Sequence, residues 1–216
     1  MTEDFSRRPI ASRNTKWAAY VTRRLVQERV SPNRISMGSV VAAAGAGVAF
    51  ALAGCVGPLW AGLFLVAGAG LTQLRLLCNL FDGLVAVEGG MGSPDGAFWN
   101  EVPDRLSDVL ILAGFGMAAG SLSLGLLAGV LAVMTAYLRE FGRAAGLGSD
   151  FSGPGAKSHR MAVVTGGALA QVLALILGLG WPITLWALWL VTLLTGVTVI
   201  RRSRRILAGL GSQNPA

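Results

Sequence analysis

Long apolar runs separated by short polar breaks make up most of this chain. They cover residues 36–54, 58–74, 106–138, 161–180 and 181–200. A helix needs about 20 apolar residues to cross the hydrocarbon core of a membrane. The longest run is interrupted at residues 120–123, Gly-Ser-Leu-Ser, and splits into two, which makes six spans. Ahead of them, residues 16–30 have a different rhythm. Trp17, Tyr20, Val21, Leu25 and Val26 recur at helical spacing, with Arg23, Arg24, Glu28 and Arg29 mostly elsewhere. That pattern predicts an amphipathic helix lying in the membrane interface; the same periodicity also suits a helix packed on the protein. Ser31, Pro32 and Asn33 end it before the first span. Residues 1–14 read as disordered. The expected fold is an all-α integral membrane protein with six transmembrane helices preceded by an N-terminal amphipathic interfacial helix. Residues 1–34 form a cytoplasmic tail and juxtamembrane helix, 35–200 the transmembrane domain, and 201–216 a basic cytoplasmic tail.

Composition and charge agree with this reading. Hydrophobic residues make up 53% of the chain and charged residues 13%, against about 25% charged in soluble domains. All 18 Lys and Arg residues fall on one side of the expected topology: before the first span, around Arg75 and Arg105, between Arg139 and Arg160, and after residue 200. None lies in the turns near 55–57, 120–123 and 180–182. By the positive-inside rule that side is cytoplasmic, and both termini with it. The chain is expected in the cell (inner) membrane as a multi-pass protein. The net charge of +7 follows from this asymmetry, and with no soluble basic domain a nucleic-acid partner is excluded. The basic ends suit anionic lipid. Cys55 and Cys78 lie on opposite sides and do not pair. No metal-type Cys/His spacing exists.

The exception to the greasy pattern is residues 79–108, which hold six of the eleven carboxylates and five glycines. Asn79 and Asp82 are three apart; Asn100, Asp104 and Asp108 are spaced by four, with Glu101 beside them. On helices each set shares a face. Asn and Asp oxygens are hard ligands that suit Mg²⁺, Mn²⁺ or Ca²⁺ rather than zinc. Acids at a membrane boundary are costly unless paired or metal-bound. Two readings follow: one divalent-metal site built from two helices, or acids that cap helices and pair with Arg75 and Arg105.

The same stretch resembles the signature of the CDP-alcohol phosphotransferase family, D-x-x-D-G-x-x-A-R, eight or nine residues, then G-x-x-x-D-x-x-x-D. Here Asn79 stands at the first Asp, Asp82 and Gly83 at the second Asp and its Gly, Ala86 at the Ala and Val87 at the Arg. Gly96 stands at the second Gly, Asn100 at the third Asp and Asp104 at the fourth. The spacing holds throughout and five of eight fixed positions match. The resemblance implies six spans with the motif between the second and third, facing the cytoplasm. It implies transfer of a phosphatidyl or other phosphoalkyl group from a CDP-alcohol, usually CDP-diacylglycerol, to an acceptor alcohol, with release of CMP. In such enzymes four acids hold two divalent metals and the last is the proposed base. Carried over, Asn79, Asp82, Asn100 and Asp104 would hold Mg²⁺ or Mn²⁺, one ion or two, and Asp104 would take the acceptor's proton. Asp82, Gly83, Ala86 and Gly96 would meet the nucleotide. With two acids replaced by Asn, Glu101 or Glu88 would supply the missing charge, and Arg105 would stand in for the Arg lost at Val87. The resemblance also implies an acceptor pocket lined by basic residues at the end of span four and just before span five, here Arg139, Lys157 and Arg160. A homodimer is implied by resemblance only. Two other readings stay open: a catalytically silent member that binds lipid or assembles with a partner, and a small transporter, which the scarcity of ionisable residues within the spans disfavours.

Overall fold

The structure is a computed structural model of the chain and describes residues 15–213. The disorder expected for residues 1–14 therefore lies outside the described residues. Seven helices follow in order: α1 (Lys16–Gln27), α2 (Pro32–Ala53), α3 (Pro58–Glu88), α4 (Gly96–Ala118), α5 (Leu122–Ala144), α6 (Lys157–Ile176) and α7 (Ile183–Gln213). Local chemistry sets several starts. Pro32 and Pro58 open α2 and α3, where the missing N–H would have had no helical partner. The Ser31 hydroxyl caps α2 by accepting from the Arg34 N–H, satisfying one of the orphan donors there.

Five helices, α2, α3, α5, α6 and α7, are long and apolar enough to cross a membrane, so this is a multi-pass helical membrane protein. The expected sixth, α4, has the length, at 23 residues. Its first half carries Asn100, Glu101, Asp104, Arg105 and Asp108, which keeps it short of the apolar composition of the others. The polar stretch 79–108 is mostly not a loop. Helix α3 runs to Glu88, α4 starts at Gly96, and only residues 89–95 between them are non-helical. At 31 residues, α3 exceeds what the hydrocarbon core requires, and its last turns carry Asn79 and Asp82. The basic residues after position 200 continue α7 as helix.

Helix α2 packs on both α3 and α4; α5 and α6 complete the bundle through α4, α3 and α7. The core holds Phe50, Leu65, Ile111, Leu112, Phe115, Met161, Val164 and Leu188, with the Phe50 and Phe115 rings edge to face at 5.2 Å. Glycine permits the closest approaches. A Cβ on Gly47 would lie 2.6 Å from the Leu110 carbonyl oxygen, and one on Gly114 would strike the backbone of Gly47. Gly116 and Gly125 meet across α4 and α5: a Cβ on Gly116 would sit 2.8 Å from the Gly125 Cα. Close backbone contact of this kind is how helices associate where lipid removes the hydrophobic drive.

Helix α1 packs on the protein, one of the two roles its periodicity allowed. Ala18, Val21 and Leu25 pack on Leu80, Phe81 and Leu84 of α3, and the Trp17 ring meets Phe81 edge-on at 5.6 Å. Trp17 and Tyr20 nevertheless remain about half exposed, at 47% and 58%.

The glycine contacts generate a test. Gly114→Val forces a side chain into the Gly47 backbone, and overpacking of this kind costs about 1–3 kcal/mol. Thermal unfolding of the detergent-solubilised protein should show a clearly lower midpoint for Gly114→Val. Gly62→Ala should show none, because a Cβ at Gly62 meets nothing within 4 Å.

Candidate active site

Arg75, Asn79 and Asp82 lie at intervals of four and three along α3, so burying one face of that helix turns all three inward. Asp104 and Asp108 turn inward in the same way on α4, with Asn100 exposed one turn earlier, and Lys157 and Arg160 belong to the first turn of α6. Where these three helices meet, polar side chains form one network.

At its base, the Arg75 guanidinium is fully buried and donates to Asp108 Oδ1 at 2.8 Å and to Asp104 Oδ1 at 3.3 Å. Asp108, 1% exposed, accepts from Arg160 at 2.5 Å through its second oxygen. Arg160 is itself 2% exposed and also donates to the Gly155 carbonyl at 2.5 Å. Charges this deep persist only when paired and hydrogen-bonded.

Above that base sits Asp104, 13% exposed. Its Oδ1 also accepts from the Asn79 amide, and its Oδ2 accepts from the Lys157 ammonium at 2.5 Å. Helix α2 contributes two hydroxyls: Ser39 donates to Asn79 Oδ1 and Ser36 to Asp82 Oδ2, each at 2.8 Å. Asp82 is 6% exposed, and its Oδ1 has no hydrogen-bond partner among the described residues. A buried carboxylate oxygen without a partner calls for an ion, a water or a ligand.

The structure thus brings Asn79, Asp82 and Asp104 together, as the spacing predicted. It adds Arg75, Asp108, Ser36 and Ser39, of which only Arg75 and Asp108 drew attention as a pairing. The pairing reading of the acids is realised for Arg75, which pairs with Asp104 and Asp108, while Asp82 keeps an open oxygen. The serines carry no signal in the sequence, because Ser36 and Ser39 sit 46 and 40 positions from their partners.

The other candidates lie around this centre. Asn100 is exposed, one turn before Asp104. Glu101 is clamped: its Oε2 accepts from Arg105 and, at 2.5 Å, from Arg139. Arg105 thus faces Glu101. Gly83 and Ala86 are half-buried on α3, and Val87 is exposed. Gly96 opens α4, and a Cβ there would meet only Ser93 Oγ at 3.6 Å, so nothing within the chain demands glycine. Glu88 is the exposed last residue of α3. Asp95 lies apart, accepting from the Trp99 indole at 2.8 Å; the Ser93 and Trp99 side chains hold its carboxyl below the ordinary value. His159 contacts the Pro154 carbonyl at 3.0 Å, outside the network.

Of the three expected acceptor residues, Lys157 and Arg160 are engaged by Asp104 and Asp108. Arg139 borders a cleft of about 340 Å³ between α5, the 145–156 loop and the end of α7, lined also by Asp150, Arg202 and Arg205. There the Arg139 guanidinium stacks over Phe151 at 5.3 Å. Burial raises the Asp150 carboxyl, but hydrogen bonds from Ser152 and the Arg205 ion pair outweigh that and leave it below the ordinary value.

No protein-family model matches the chain, and no curated protein matches it. Solved structures do. Mycobacterium tuberculosis phosphatidylinositol phosphate synthase in complex with manganese and citrate aligns with a TM-score of 0.70 at 23% identity, over 87% of this chain and 88% of that one. The same enzyme with CDP-DAG bound gives 0.70 at 23% over 87% and 92%. Its apo form gives 0.68 at 23% over 87% and 95%. At that identity the likeness establishes the fold, and it is the fold expected from the signature.

The buried triad carries a prediction. Asp108→Ala leaves Arg75 and Arg160 buried without their shared partner, a loss of about 3–5 kcal/mol. Chemical unfolding in detergent should show that drop; Asp95→Ala, at an exposed carboxylate, should stay within about 0.5 kcal/mol of the parent.

Proposed function

We propose that this protein is a membrane phosphotransferase that passes a phosphatidyl or similar phosphoalkyl group from a CDP-alcohol, CDP-diacylglycerol first, to an acceptor alcohol, releasing CMP. The observation that carries the reading is the convergence of Asn79 and Asp82 of α3 with Asp104 of α4, around a buried, unpartnered Asp82 oxygen. It occurs in a fold shared with an enzyme solved with CDP-DAG bound.

In this reading α4 is the sixth span, with its polar first half at the cytoplasmic boundary. The chain sits in the cell membrane with both termini inside and works as a homodimer. No group of three or more His, Cys, Asp or Glu side chains forms a metal cage among the described residues. The donors present still fit a divalent ion: the open Asp82 oxygen, the Asp104 carboxylate and the neutral amides of Asn79 and Asn100 are all hard oxygen ligands. Mg²⁺ or Mn²⁺ bound there would stabilise charge on the pyrophosphate. Asp104 accepts the proton of the acceptor hydroxyl as its oxygen bonds to the phosphorus of the phosphoalkyl group. The bond from that phosphorus to the bridging oxygen breaks, and CMP leaves. Gly83, Ala86 and Gly96 leave room for the nucleotide. Arg139, Lys157 and Arg160 line the acceptor side; each is held by carboxylates of the chain, Arg139 by Glu101 and Glu140, and an anionic acceptor would compete with those for Arg139 at the cleft.

One observation favours a second reading, a silent relative that binds lipid: both oxygens of Asp104 already have partners within the protein. CMP release by the purified protein from CDP-diacylglycerol, with Mg²⁺ or Mn²⁺ and a panel of acceptor alcohols, separates the two. The transferase reading expects metal-dependent release that falls by about 10²–10⁴-fold in Asp104→Ala, the usual contribution of a positioned base. Absence of release with every acceptor, from protein that still binds CDP-diacylglycerol, would establish the silent reading instead.

A further inference from the structure

The charges at the centre of the network balance without any ion. Three carboxylates, Asp82, Asp104 and Asp108, face three cations, Arg75, Lys157 and Arg160. The cations are unevenly shared. Asp108 is closed off by two arginines, and Asp104 holds Arg75 on one oxygen and Lys157 on the other. Asp82 forms no ion pair among the described residues; its Oδ2 accepts from the Ser36 hydroxyl. Two neighbouring positions that could carry acids carry amides, and the Asn79 amide presents its NH₂ to Asp104.

Lys157 is the group that needs explaining. It is the first residue of α6, where a helix dipole repels a positive charge. Its side chain is only 21% exposed, although a lysine normally keeps its ammonium in water. The preceding loop is also fixed. The Gly155 N–H donates to Thr198 Oγ1 at 2.8 Å, and a Cβ on Gly155 would lie 2.5 Å from the Thr195 Cα of α7. Arg160 grips the Gly155 carbonyl from below. The ammonium is therefore delivered to Asp104 by a rigid segment.

We infer that Lys157 is a built-in cation that takes the place of one metal ion, so that the site holds a single divalent ion, on the Asp82 side. This rests on the transferase reading above and specifies its metal centre. Two divalent ions would bring four positive charges to Asp82 and Asp104, which offer two negative charges, one of them already met by Lys157. Since the three carboxylates and three cations already balance, one ion leaves the network two positive charges over, which the two negative charges of an incoming pyrophosphate diester offset; two ions would leave four. Glu101 does not make up the deficit, because Arg105 and Arg139 clamp it.

The test is Mn²⁺ binding to the purified full-length protein in detergent, by equilibrium dialysis and electron paramagnetic resonance, with Mn²⁺ alone as the probe. The parent protein should bind one Mn²⁺ per chain. Lys157→Met removes the fixed charge a few ångströms from the ion and should tighten Mn²⁺ by at least about tenfold, whereas Lys157→Arg keeps a cation and should hold the parent affinity. Lys157→Met combined with Asn79→Asp and Asn100→Asp should bind two ions with the exchange-coupled spectrum of a manganese pair. Two Mn²⁺ on the parent chain, or an unchanged affinity in Lys157→Met, would overturn the inference. Should Lys157→Met not fold, the stoichiometry of the parent protein decides alone. Two ions with CMP release would sink this inference and leave the transferase intact. One ion with no CMP release from any acceptor would do the reverse.

Discussion

A guanidinium with no access to water must at least be paired with carboxylates, and Arg75 is such a group, bonding through Nη2 while its Nε and Nη1 have no partner among the described residues. It stands in the middle of α3 among apolar residues, and its burial requires Asp108 and Asp104 of α4 opposite it. Arg160 of α6 joins through the second Asp108 oxygen. Three helices are thereby fixed in rotation and depth by ion pairs that cannot slide, since shifting any helix by one residue would leave a charge unpaired in a dry interior. Asn79 and Asp82 lie on the Arg75 face of α3, so the rotation that buries Arg75 also presents them to Asp104. The chemistry of the candidate site is thus a consequence of solving the Arg75 problem.

Helix α2 does the complementary work without charge. Glycines at 47 and 114 let its backbone reach α4, and Ser36 and Ser39 then reach α3 to hold Asp82 and Asn79. One oxygen of Asp82 is left without a partner in a place where leaving it so is costly. Asp82 Oδ1 shares this state with Arg75 Nε and Nη1 and Arg160 Nε, but among the described residues it is the unpartnered acceptor of the network, the kind of atom an ion would meet.

The same contrast separates Asp104 from Asp82. Asp104 is held by Arg75, Lys157 and Asn79 and cannot turn. Asp82 is held on one side only. A carboxylate held by two cations is fixed in place, whereas an open carboxylate oxygen is free to meet an ion. The division rests on how many cations each acid faces.

The amino-acid sequence by itself determined the class, the apolar helices, the basic side and the spacing that brings Asn79, Asp82 and Asp104 together. These are properties of runs and periods: burial in lipid needs long apolar stretches, and a helix repeats every few residues. The pairing choices were decided only in the tertiary structure. Arg75 could have met either acid, Lys157 could have lain in solvent, and Ser36 could have faced lipid, because each partner lies on another helix, far off in sequence. Even α4 was ambiguous, since its first half is polar for the sake of contacts with α3, α5 and α6 that no local pattern records. Electrostatic partners are selected by packing, and packing is a relation between helices.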